Sequence, residues 1–139
     1  MQNHYSLVYR EEEREMNRYC RETGVGLIPW GPLHAGMLAR PIEGHGSTDR
    51  SKDKPDATPQ EKEIVGRVEE IAKKKGWKMG TVAIAWMLHP RRGVSSPIIG
   101  FSKTERIDEA LEIRDKSLTD EEMDYLEAPY QPLAIQGHS

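Results

Sequence analysis

Apolar and polar positions along this chain follow two rhythms in turn. Val25-Gly26-Leu27-Ile28-Pro29 and Ser96-Pro97-Ile98-Ile99-Gly100 are short apolar runs bounded by turn residues, the mark of buried parallel strands. The opening residues 1–9 are partly β-prone and ambiguous on pattern alone. Other stretches carry a helical period. Arg10 to Glu22 sets Tyr9, Met16, Tyr19 and Cys20 on one side and the acidic run Glu11 to Glu15 on the other, as a solvated face, with Gly24 as its stop. Thr58-Pro59-Gln60-Glu61 is a capping box opening a helix whose inner face is Ile64, Val65, Val68, Ile71 and Ala72, closed at Gly76. Thr81 to His89 is apolar nearly all round, so it should be buried. Ser102 with Glu105 reads as another capping box, with Ile107, Ala110 and Leu111 turned inward. Thr119 with Glu122 starts a last helix that buries Met123 and Leu126.

That alternation predicts an α/β fold with about three parallel strands and flanking helices. Residues 1–139 read as a single unit. A polar loop over 41–57 lies on its surface, and an irregular tail follows from 129 to 139. The 139 residues suffice for one core, and no apolar run approaches the roughly 20 residues of a membrane span. Net charge −3 and pI near 6.0 exclude a global pull toward nucleic acid or acidic membranes. One cysteine cannot make an internal disulfide, which fits a reducing compartment, and the start of the chain lacks a secretory signal. The expected location is the cytoplasm.

Candidate chemistry is sparse. Pro97 to Arg106 runs a strand through Gly100 into a helix start, with cations at Lys103 and Arg106. Such a turn could bracket a phosphate, or it is an ordinary cap with solvated charges. Trp30-Gly31-Pro32-Leu33-His34-Ala35-Gly36 puts a large aromatic and two glycines at a strand end, where α/β proteins bind ligands. A Trp buried beside a tight turn is the plainer reading. Trp77 and Trp86 read as core. His89-Pro90-Arg91-Arg92 reads as a helix end with cations at the negative pole. No HxxxH or HExxH pair occurs, and Cys20 reads as a small core residue, so no metal site is expected. No general acid, base or nucleophile set stands out.

Three ordered motifs carry a resemblance. They are Gln2-Asn3-His4-Tyr5-Ser6-Leu7-Val8-Tyr9-Arg10, Gly26 through Leu38, and Ser96 through Arg106. Together they resemble the last third to half of an aldo-keto reductase, from the sixth barrel strand onward. The nearest likeness is to microbial and fungal NADP-dependent members. The resemblance covers nearly the whole chain and implies the C-terminal portion of a (β/α)8 TIM barrel. It also implies NADP(H) as cofactor. Gln2 matches the glutamine at the nicotinamide carboxamide, and Trp30 matches the aromatic that stacks on the nicotinamide. Gly31, Leu33, Ala35 and Gly36 match the loop around the pyrophosphate. Gly100, Ser102 and Arg106 match the grip on the adenosine 2′-phosphate, Lys103 adds a cation there, and Glu109 with Ala110 lies near the adenine.

The same resemblance sets a limit. The family's catalytic Asp, Tyr, Lys and His come from earlier strands, so no catalytic residue is assigned in this chain. A closed barrel takes about 250 residues. The first expectation is therefore an NADP-dependent carbonyl reductase of aldo-keto type, active only when the first strands are supplied. The alternatives are a non-catalytic cofactor-binding or interaction module, or a non-redox enzyme reusing the half barrel. A small carbonyl substrate and a homo-oligomer formed through open sheet edges are the expected partners.

Overall fold

The computed structural model describes residues 1–44, 56–101 and 103–136. Its framework is three extended runs lying parallel. The Met1 carbonyl accepts from Ile28 N at 2.9 Å, the Asn3 carbonyl from Trp30 N at 2.9 Å, and Tyr5 N donates to the Trp30 carbonyl at 3.3 Å. His4 thereby sits opposite Trp30. On the other side the Leu27 carbonyl accepts from Ser95 N, and the Pro29 carbonyl from Ile98 N at 2.8 Å. Leu27 pairs with Val94 and Trp30 with Ile98, so the middle run advances three residues while its neighbour advances four. The extra residue is a bulge, and the Leu27 carbonyl accepts from Ser96 N as well.

The expected order of three parallel segments is present, but as isolated bridges rather than continuous ladders. Pro29 and Pro97 bring no N–H to the pairing, and the bulge resets the register between them. Alternation assigns the two faces. Asn3, Tyr5, Leu27 and Pro29 are buried on one side; Gln2, Ile28, Trp30 and Ile98 are exposed on the other.

The buried side is covered by helices. α1 (Met16–Thr23) ends at Gly24, as the sequence indicated. α2 (Pro59–Lys75) begins at the Thr58–Glu61 capping box, with Glu61 N donating to Thr58 Oγ1 at 3.2 Å and Thr58 N to Glu61 Oε2 at 2.8 Å. Such a cap is worth about 1 kcal/mol. α3 (Met79–Leu88) is buried from Thr81 through Met87, as expected of a helix apolar on every side. α4 spans Glu105–Leu111, and α5 (Asp120–Glu127) starts at a second complete capping box on Thr119. Ile64, Val65 and Val68 of α2, Val82 and Trp86 of α3, and Met123 and Leu126 of α5 form one core with Tyr5, Leu7 and Val8.

Several local expectations are corrected. The 10–22 helix is broken: a 3-10 turn over Glu11–Arg14 is separated from α1 by Glu15 at φ −139°, ψ −63°. Tyr19 points outward. The acidic run is not a solvated face, because Glu11 is buried and Glu13 is tied to two arginines. α4 starts at Glu105 after Thr104, whose side chain makes no capping hydrogen bond. Ser102 lies outside the described residues. Ile107 and Leu111 of α4 are 41% and 49% exposed rather than turned into the core. An apolar stripe buries only where another layer covers it, and here that cover is incomplete. Arg91 and Arg92 follow the end of α3 as expected, and each also makes a specific ion pair, with Asp124 and Glu13 respectively.

Candidate functional site

The three parallel runs bring their C-terminal ends to one edge, where Trp30, Gly31 and Gly100 lie. Gln2 is exposed on the first run. Trp30 closes the second and is 39% exposed, correcting the plainer reading of a buried Trp. One face of its indole lies against His4, with ring centroids 4.1 Å apart and planes 6° from parallel. His4 in turn stacks on Tyr9 at 4.4 Å and faces His34 at 5.6 Å.

Backbone geometry at this edge is special. Gly31 adopts φ +72°, and a Cβ there would come within 3.0 Å of the His4 ring, so both conformation and space call for glycine. His34 (φ 46°), Ala35 (φ 54°) and Gly36 (φ 91°) follow in the left-handed region. Two consecutive non-glycine residues there are uncommon and store strain, which concentrates at ligand sites. The loop is held from within: His34 N donates to the Gly31 carbonyl, and Gly36 N and Leu38 N to the Leu33 carbonyl. Leu33 turns inward against the core while Ala35 is exposed.

At the third end, Gly100 and Phe101 are exposed. Lys103 and Arg106 are exposed too, and neither enters a salt bridge among the described residues. Glu109 pairs with Lys78 at 2.8 Å, and that contact holds its carboxyl below the ordinary value. Ala110 is half-buried beside it. The Ser102 reading lies outside the described residues.

A different cluster escaped the sequence reading. Glu13 receives Arg10 Nε at 2.9 Å, Arg10 Nη2 at 2.8 Å and Arg92 Nη1 at 2.7 Å. Glu127 receives Trp86 Nε1 at 2.9 Å and both arginines at 3.3 Å. The two guanidinium groups lie 5.7 and 5.2 Å from the Trp86 ring. Burial pulls the Glu13 carboxyl up, yet hydrogen bonds from Arg10 and the charges of Arg10 and Arg92 hold it below 4.5. Burial, aided by Glu13, raises the Tyr5 phenol well above its usual value, so it stays protonated and donates its hydroxyl proton to Glu13. A cleft of about 590 Å³ opens beside this cluster, but its charges are committed to one another. Long-range pairing completes the cluster: Arg92 meets Glu13 across 79 residues of sequence. Among the described residues no group of three or more His, Cys, Asp or Glu could hold a metal.

The edge thus offers a flat aromatic face and a strained backbone loop, with two exposed cations following the third run that enter no salt bridge among the described residues. Residues 1–131 match the model of the aldo/keto reductase family. The chain is 52% identical to aldo-keto reductase dtxS3 of Metarhizium robertsii, covering 100% of this chain and 38% of that protein. It is 46% identical to the versiconal hemiacetal acetate reductase of Aspergillus parasiticus, covering 97% of this chain and 41% of that protein. Its fold matches the crystal structure of a thermostable aldo-keto reductase, Tm1743, in complex with the inhibitor epalrestat. The TM-score is 0.67 at 24% identity, over 92% of this chain and 38% of that one. The chain thus spans about two fifths of the length of the curated relatives it matches.

Proposed function

The chain belongs to the aldo/keto reductase family, and on that premise we propose that it forms the cofactor-holding portion of an NADP-dependent carbonyl reductase. The observation that carries this reading is the exposed Trp30 face beside the left-handed 31–36 loop. The residues fit a dinucleotide. Trp30 and Gln2 would hold the nicotinamide end, with Gly31, Leu33, Ala35 and Gly36 along the pyrophosphate. Gly100, Ser102, Lys103 and Arg106 would take the adenosine 2′-phosphate, with Glu109 and Ala110 by the adenine. When bound, the cofactor supplies hydride to a carbonyl carbon.

This chain's own part is to orient that cofactor. No catalytic residue is assigned to this chain, and the group that protonates the carbonyl oxygen is placed in the three fifths of the relatives' length that it does not span. In this reading residues 1–139 are one C-terminal segment of a (β/α)8 barrel, working in the cytoplasm, where the buried Cys20 stays reduced. The open edges at residues 1–5 and 94–98 are where the remaining strands, or a further copy of the chain, would pair.

The test is calorimetric titration with NADPH, NADH and 2′-phospho-AMP. NADPH should bind more tightly than NADH. Arg106→Ala should weaken both phosphorylated ligands by about tenfold, the worth of one charge-assisted hydrogen bond of roughly 1.5–3 kcal/mol. Equal affinity for NADPH and NADH sinks the reading. A second reading, a non-catalytic interaction module, is favoured by the uncovered Ile28 and Ile98. Carbonyl-dependent NADPH oxidation by the chain alone would exclude it.

A further inference from the structure

We propose that His4 is the positioning residue of the Trp30 ring, the middle layer of a three-ring stack that fixes the plane on which a flat, electron-poor ligand ring settles. This rests on the cofactor reading above and deepens it. The stack runs Tyr9, His4, Trp30, with spacings of 4.4 and 4.1 Å and planes within 17° of parallel.

Burial falls along it. Tyr9 is 1% exposed, His4 is half-buried and Trp30 is 39% exposed, so the stack rises from the core and presents Trp30 at its top. Each layer is held independently. Gln136 N donates to the Tyr9 hydroxyl at 3.0 Å, which pins the lowest ring through the C-terminal tail. His4 and Trp30 are opposite one another in a parallel bridge, so both rings rise from paired backbone positions. Gly31 leaves the space the imidazole needs: a methyl group there would meet His4 Cδ2 at 3.0 Å and Nε2 at 3.2 Å. A Trp at a strand end turns about two side-chain bonds, and a parallel ring pressed against one face removes that freedom before any ligand arrives.

The experiment compares wild type, His4→Leu, which keeps the bulk but not the flat ring, and His4→Phe, which keeps both. Each is titrated with NADP⁺ and with 2′-phospho-AMP, which has no nicotinamide. His4→Leu should weaken NADP⁺ by roughly two- to tenfold, the range of an aromatic pair, and leave 2′-phospho-AMP unchanged. His4→Phe should restore NADP⁺ binding. Equal losses for both ligands, or no loss for either, would overturn the proposal. Near-ultraviolet circular dichroism reads the ring directly, with Trp30→Phe identifying the Trp30 band. That band should vanish in His4→Leu and persist in His4→Phe. Its persistence in His4→Leu overturns the positioning role whatever the ligands do. A wild-type chain that binds 2′-phospho-AMP and NADP⁺ equally would overturn the nicotinamide reading instead, while the dichroism still decides whether His4 sets the ring.

Discussion

The two faces of the same three extended runs have opposite fates. On one face Tyr5 and Leu27 are 1% exposed, and the core of α2, α3 and α5 closes over Tyr5. On the other, Ile28, Trp30 and Ile98 keep between 39% and 45% of their surface open. Both faces are apolar, so hydrophobicity along the strands does not distinguish them. What distinguishes them is supply: this chain provides helices for one side and, among its described residues, nothing for the other. The stability of the molecule resides on the covered face, and the proposed cofactor contacts lie on the uncovered one.

Neighbouring residues test that division most sharply, and the largest effect belongs to the covered side. Leu27→Ala should cost about 2–5 kcal/mol, because the deleted atoms leave a cavity in a packed site. Urea unfolding followed by far-ultraviolet circular dichroism measures it. A loss below 1 kcal/mol would mean that the helix side is no better packed than the open one.

The charged cluster behind Tyr5 comes next. Glu13→Gln leaves Arg10 and Arg92 facing a neutral amide and should cost about 1.5–3 kcal/mol at pH 7. The sign with pH follows from titration. Folded Glu13 titrates below the ordinary 4.5, so its contribution is complete above that value and disappears as pH falls through the lower folded one. The gap between wild type and Glu13→Gln should therefore close on acidification. A gap that stayed constant down to pH 3 would show that packing, rather than charge, holds the cluster.

These expectations also mark what could be read from the sequence. Both Thr58 and Thr119 caps, the all-round burial of α3 and the parallel order of the runs were legible, because each depends on residues close in sequence. So was the clustering of Trp30, Gly31 and Gly100 at one edge, once strand ends were located. The fate of the acidic run was not. Glu11 is held by the Tyr130 hydroxyl and Leu133 N, each at 2.7 Å, and Glu13 by Arg92, partners that lie 79 to 122 residues away. Helical period counts Ile107 and Leu111 as inner residues, but period cannot say whether a covering layer exists. No spacing motif singles His4 out in the sequence. Its stacking role needed the register that places it opposite Trp30.

The smallest effect belongs to Ile28, one residue from Leu27 and on the other face. At 41% exposure it has no cavity to leave behind, and Ile28→Ala should change stability by no more than about 0.5 kcal/mol, the range of surface substitutions. β-propensity argues for a small loss, since alanine suits an extended run less well than isoleucine. Removing exposed apolar area argues the other way through solubility. These opposing effects should nearly cancel in a dilute chain, and urea unfolding of Ile28→Ala beside Leu27→Ala reads the difference directly. If Ile28→Ala instead costs as much as Leu27→Ala, and the cost grows with protein concentration, the open face is covered in solution by another copy of the chain. The division between a closed, stabilising face and an open, recognising one would then hold only for the isolated monomer.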